Sequence, residues 1–189
     1  MRRYLAITLF VSPFVAAIGC SEAVPPAGEA AVSVNFSTAS AVGTPGSCTV
    51  APHDFQIGVV HPSDTGQIIF TKDGQARASV FCSVTEDGGS YNASAQVLEN
   101  EKSFEFAVKG ISDANTKENP AKGTVTYRSV DTVNFFTSTS EYPCEFWLND
   151  QQEVGPGKLW AQYSCPLIQS NTKECSIGES TVALQNCDS

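Results

Sequence analysis

The chain has 189 residues, with 20 acidic against 11 basic side chains and a formal charge of −9 at pH 7. That balance excludes a nucleic-acid partner, which needs clustered Lys and Arg against phosphate, and it works against adhesion of the whole surface to an anionic bilayer. The length is one domain's worth, enough for a substantial core.

Arg2 and Arg3 open the chain, and Tyr4 to Ile18 follows without a charge. This apolar run of about fifteen residues is shorter than the roughly twenty a membrane helix needs. With the small residues Ala16, Ala17 and Gly19 after it, the pattern is a secretory leader. Its end, Ala17-Ile18-Gly19-Cys20, resembles the lipobox of bacterial lipoproteins, with Ala where Leu is commoner. The resemblance implies cleavage before Cys20, a diacylglycerol on the Cys20 thiol and acylation of the new amine. An ordinary signal peptide cut near Ala17 or Gly19 is the alternative. Ser21, in place of the Asp that retains such proteins at the inner membrane, implies the outer membrane, facing the periplasm or the surface. Two or three acyl chains make a stable anchor, where one does not. The organisation expected is therefore a signal peptide over 1–19, a lipidated N-terminus and tether over 20–31, and one domain over 32–189. Arg2 and Arg3 are the leader's only charges, so the mature chain keeps nine basic residues against all twenty acidic ones.

From residue 32 onward the texture is strands and turns. In "AVSVNFS", Val32, Val34 and Phe36 share one face; in "DFQIGVV", Phe55, Ile57 and Val59; in "KSFEFAVKGI", Phe104, Phe106 and Val108. "GTVTYRSV" and "STVALQNC" keep the same period of two, which marks half-buried strands. Turn clusters separate them: "HPSDTG", "TKDG", "TEDGGS", "SDANTKENPAKG" and "EVGPG". Roughly nine or ten strands with no long amphipathic helix predict an all-β fold, an antiparallel β-sandwich of jelly-roll or Ig-like kind.

"CEFWLNDQQEVGPGKLWAQYSC" reads as a hairpin. Centred between Val154 and Gly155, it places Cys144 opposite Cys165, Phe146 opposite Tyr163 and Leu148 opposite Ala161 on an apolar face. The other face pairs Glu145 with Ser164, Trp147 with Gln162 and Asn149 with Trp160. Trp147 and Trp160 are then diagonal neighbours, a candidate surface for stacking on a sugar ring or a partner's apolar group. Cover by a loop, or by the stretch near Phe135 and Phe136, is the opposing expectation, because large aromatics are mostly buried.

"PGKLWAQYSCPLI", "ECSIGES" and "VALQNC" together resemble a set of small Cys-rich lipoproteins from myxobacteria and their relatives, over roughly residues 120 to 188. That resemblance implies a secreted lipoprotein and no particular activity. A fainter likeness, in the order of elements only, is to the mycobacterial nineteen-kilodalton lipoprotein antigen. It implies Cys82–Cys165, from "VFCSV" and "YSCP", and so leaves Cys48 to Cys144.

Apart from Cys20, six cysteines remain: Cys48, Cys82, Cys144, Cys165, Cys175 and Cys187. An even set in an exported chain, none at Cys-x-x-Cys spacing, reads as three disulfides rather than a zinc or redox site. Cys175 and Cys187 flank "SIGESTVALQN" and suit a C-terminal hairpin. The register of the tryptophan hairpin favours Cys144–Cys165, which leaves Cys48–Cys82. This local set is preferred over the pairing implied by the antigen, and both stay open here.

Catalytic and metal chemistry find little support. His53, followed by Asp54, and His61 both sit beside proline, and there is no Gly-x-Ser-x-Gly elbow. His53, Asp54 and His61 lack a placed third metal ligand. Asp113, Asn115, Glu118 and Asn119, or Glu86 and Asp87, offer oxygens for calcium but not in an EF-hand pattern. No spacing singles out the paired acids of a glycosidase. The expectation is a lipid-anchored, non-catalytic envelope protein of structural or interaction type, without cofactor, its partners the membrane through the lipid and envelope proteins or glycans. The alternative is a small glycan- or calcium-binding module.

Overall fold

The computed structural model describes residues 25–38, 42–60 and 67–189. The expected leader, Cys20, Ser21 and His61 lie outside the described residues, as does the start of the expected tether over 20–24, while the tether's last residues, from Glu29, belong to the first strand. Among the described residues there are twelve strands and no helix. They are β1 (Glu29–Ser37), β2 (His53–Ile57), β3 (Thr71–Lys72), β4 (Ala78–Asp87), β5 (Ser90–Glu99) and β6 (Lys102–Ile111), then β7 (Ala121–Arg128), β8 (Phe136–Ser138), β9 (Cys144–Trp147), β10 (Val154–Gly155), β11 (Lys158–Ser170) and β12 (Lys173–Gln185).

The expected all-β antiparallel class is observed. Hydrogen bonding runs unbroken through one sheet in the order β2-β1-β12-β11-β8-β7-β6-β5-β4, with β9 bridging β11 and β7. The sheet curls so that its inner faces share one core. Phe55 of β2 meets Tyr127 of β7 edge-on with ring centroids 5.1 Å apart, and Phe104 of β6 lies 5.6 Å from Tyr163 of β11, contacts between strands far apart in the order. The alternating residues read from the sequence line this core: Val32, Val34 and Phe36, then Phe104, Phe106 and Val108 are all buried.

The seam at the β4 edge is closed by three separate segments. Val80 N–H donates to the Asp73 carboxylate (2.9 Å). Val84 N–H donates to the Asp188 carbonyl, Asp188 N–H to the Cys82 carbonyl, and Gly157 N–H to the Val84 carbonyl. An exposed strand edge is a template for pairing with other chains, and this one is covered.

Three disulfides brace the sheet: Cys48–Cys175, Cys82–Cys187 and Cys144–Cys165. The last follows the expected hairpin register, and the other two correct the preferred set. Cys175 and Cys187 cannot close a hairpin, because Lys173–Gln185 is one continuous strand. Ten residues of that strand follow Cys175 before it ends at Gln185, roughly 33 Å, so the two cysteines lie far apart. Cys82 is instead met by the C-terminal tail along the seam. Cys48 is brought to Cys175 by its own loop, where Thr44 N–H donates to the Glu174 carboxylate and Ser47 Oγ to the Glu174 carbonyl. The Cys82–Cys165 and Cys48–Cys144 pairs implied by the mycobacterial likeness are not formed either.

A candidate binding face across the outer sheet

The tryptophan hairpin keeps its expected register at the base: Phe146 faces Tyr163, Glu145 faces Ser164 and Trp147 faces Gln162. Its tip differs. Gly155 pairs with Lys158, so the turn is Pro156–Gly157, with Gly157 at φ +68°. The extra residues of 148–153 bulge out, and Trp160 N–H donates to the Glu153 carbonyl instead of lying opposite Asn149.

The two tryptophans do not form an exposed platform. Trp147 is 3% exposed. The Lys117 ammonium lies over its ring at 5.6 Å and is itself held by Glu179 at 2.7 Å. Trp160 is half-buried against Ala31, Val60 and Ala183, beside Ile68 and Phe70, and its indole nitrogen is buried without a hydrogen-bond partner. The outer face of β1, β12 and β11 is built of small residues here, Ala31 and Ala183, so a neighbouring segment settles on it and takes Trp160 as part of a second, minor core.

His53 is equally committed. Nδ1 donates to the Ala51 carbonyl (2.8 Å), and Nε2 is engaged by the Tyr127 hydroxyl (2.7 Å), with the Ser129 hydroxyl 3.2 Å away. The ring stacks on Phe36 at 4.8 Å. Ser129 is buried, and its oxygen also accepts from Asp131 and Thr132 N–H groups. That oxygen is a turn former shielded from any substrate. Burial pushes the Tyr127 hydroxyl up to about 12, against a small lowering by Ser129, so it serves as a neutral donor. Asp54 extends on the other side of β2, exposed.

Asn115, from the calcium candidates, is absorbed by its own turn. Its Oδ1 accepts from Ser112 N–H (2.8 Å) and its Nδ2 donates to the Asn119 carbonyl (3.2 Å). Asp87 closes the β4–β5 hairpin and accepts from Asn92 (3.1 Å). Among the described residues no three His, Cys, Asp or Glu side chains converge on a common point.

The strongest site lies elsewhere. Strand β4 alternates, turning Val80 and Val84 to the core and Ser79, Phe81 and Ser83 outward. Phe81 is 63% exposed. The registers set Phe81 opposite Gln96 on β5, Gln96 opposite Glu105 on β6, and Glu105 opposite Thr126 on β7. The row continues through Thr137 on β8, Gln169 on β11 and Glu174 on β12. At about 4.8 Å per strand, these seven residues span roughly 29 Å. Beyond Thr126 the row satisfies itself: Thr126 and Thr137 hydroxyls lie 3.2 Å apart, and Gln169 donates to Glu174 (3.5 Å).

The Phe81 end is different. Small residues flank it, Ser83 opposite Ser94 and Ser94 opposite Ala107. A shallow cleft of about 320 Å3 results, lined by Phe81, Ser83, Ser94, Gln96, Glu105 and, at its seam wall, Asp188. The Cys82–Cys187 bridge and the tail's hydrogen bonds fix that wall. The cleft offers one aromatic face, a Gln amide that both donates and accepts, hydroxyls, and two carboxylates that accept. Phe81 was visible in the sequence as the one bulky apolar residue on the serine-bearing face of "SVFCSV". The tryptophans drew attention because size, not exposure, is what a sequence displays.

Comparison with protein-family models, with curated proteins and with solved structures found no match to this chain.

Proposed function

We propose that the chain is an exported, lipid-anchored envelope protein that acts by binding rather than catalysis, and that the outer face of β4–β7 takes a neutral, extended glycan. The carrying observation is Phe81, an exposed ring at the head of a polar cleft on a rigid sheet. An aromatic face matches the C–H face of a sugar ring, and the Gln96 amide, the serines and Glu105 match its hydroxyls. Glu105 and Asp188 disfavour an acidic sugar in the same place. Burial of the whole ligand is not needed, since specific polar groups around one anchor suffice for orientation.

Export is supported by the leader-like start and by three disulfides, which persist in oxidising compartments. The lipobox-like residues before Cys20 support the anchor, and Ser21 supports the outer membrane. Non-catalytic action is supported by His53 and Ser129 being consumed in packing and turn formation. Binding of neutral oligosaccharides, measured by isothermal titration with Phe81→Ala beside the wild type, tests the reading. Unchanged binding in Phe81→Ala, or none in the wild type, ends it.

A further inference from the structure

The loop between β7 and β8, residues 129–135, holds all three of its apolar residues outward. Val130, Val133 and Phe135 are 59%, 69% and 50% exposed, Ser129 and Thr132 are buried beneath them, and Asp131 and Asn134 are exposed beside them. This is not slackness. Ser129 N–H donates to Thr132 Oγ1 (2.9 Å), Thr132 N–H donates back to Ser129 Oγ (3.2 Å), and Val133 N–H donates to the Ser129 carbonyl (3.2 Å). The reciprocal bonds lock the base and hold the three apolar side chains out. Val133 sits at φ +61°, a left-handed conformation that is an outlier for a β-branched residue. Strain of this kind persists only where the surroundings impose it, and it gathers at functional sites.

The setting gathers three cations, Arg77, Arg128 and Lys102, where the protein as a whole is acidic, alongside three carboxylates, Glu99, Glu101 and Asp131. Beyond the leader the chain has two arginines, Arg77 and Arg128, and both are here. Neither has a carboxylate partner in the ion pairs of the described residues. The Arg128 guanidinium lies over the Phe135 ring at 5.4 Å, with its Nε buried and unpartnered. Arg77, itself at φ +63°, joins Lys102, Asn100, Glu101 and Val130 around a hollow of about 580 Å3. Glu101 in the hollow, Asp131 on the loop and Glu99 beside Lys102 (3.6 Å) temper the field without pairing either arginine.

We infer that this end of the molecule docks on an anionic phospholipid surface, with Val130, Val133 and Phe135 entering the headgroup region and Arg77 and Arg128 on the phosphates. An apolar tip ringed by unpaired guanidinium groups is what an interface of phosphates over hydrocarbon requires. The remaining surface, acidic in sum, is repelled by such a bilayer, so contact is confined to this end and the molecule is oriented by it. The inference stands on the loop and the arginines, not on the glycan face or on the anchor at Cys20.

The test is flotation of the Cys20→Ser protein, which lacks any lipid, with phosphatidylglycerol and with phosphatidylcholine vesicles. The expected result is salt-sensitive binding to phosphatidylglycerol vesicles only, weakened about fivefold in Arg77→Gln. Val133→Asn, which places a residue tolerant of left-handed φ at that position, should lose binding while melting at the same or a higher temperature. Phe135→Ser should also lose binding. Absence of wild-type binding, equal binding to both vesicles, or full binding by Val133→Asn and Phe135→Ser overturns the inference.

Discussion

Opening the Cys82–Cys187 bridge is the perturbation that tests the closure of the seam most directly. The two cysteines are 105 residues apart in sequence, against 21 for Cys144–Cys165. A crosslink removes loop-closure entropy from the unfolded chain, so the longer loop counts for more: about 4.8 kcal/mol at 25 °C against about 3.3 kcal/mol for the shorter. Cys82→Ala with Cys187→Ala should therefore lower unfolding free energy by about 4–5 kcal/mol, read by urea denaturation of oxidised protein. The structure adds a local signature. With the tail released, Val84 N–H loses the Asp188 carbonyl and the Cys82 carbonyl loses its donor, so hydrogen exchange at Val84 and Asp188 should accelerate more than in the β6–β7 core. The cleft wall at Asp188 goes with it, and glycan binding should fall. A loss below about 2 kcal/mol, or unchanged exchange at Val84, would refute the claim that this bridge closes the seam.

The remaining expectations concern burial and titration. Trp147→Ala should cost about 3–5 kcal/mol because its ring is enclosed, whereas Phe81→Ala should shift stability by no more than about 0.5 kcal/mol; equal effects in urea titrations would contradict the burial described. Burial raises Tyr127 to about 12 and Tyr163 well above its ordinary value, Tyr163 while donating to the Ser33 carbonyl (2.9 Å). Both bind their protons more tightly folded than unfolded, so their contribution is complete below about pH 10 and is lost as the pH rises from about 10 towards 12 and beyond. At the acid end, burial alone would raise Glu29, but Lys72 at 2.7 Å and Gln185 together hold its carboxyl below the ordinary value. That contribution is present above about pH 4.5 and is lost as the pH falls below it. Urea midpoints that stay flat from pH 8 to pH 11.5 would count against the tyrosine assignment.

The strands were legible because half-buried strands impose a period of two, and Val32-Val34-Phe36 or Phe104-Phe106-Val108 displays it without context. The base of the tryptophan hairpin was legible for the same reason: placing Cys144 opposite Cys165 puts Phe146 and Tyr163 on the core side with the cysteines. The tip was not, since the bulge of 148–153 leaves no mark on that alternation. Long-range order was hidden too. Nothing local says that the tail after Gln185 crosses to β4, so Cys82–Cys187 and Cys48–Cys175 were out of reach of arguments from nearby strands. The closure of the sheet on itself draws on the same tail, together with Asp73 and Gly157. Which face of a strand stays open depends on what settles over it, and that decided between Trp160, covered beside Ile68 and Phe70, and Phe81, left bare.

The central claim is that the β4–β7 face is the binding site and that Phe81 anchors its ligand. Titration of the wild type and Phe81→Ala with a panel of neutral oligosaccharides tests it most directly, with circular dichroism melts to establish equal folding. The account predicts a saturable wild-type complex weakened about tenfold or more in Phe81→Ala, the loss expected for one aromatic side chain's buried area, at an unchanged melting temperature. Equal affinity for the two proteins, or no oligosaccharide bound by either, would contradict it.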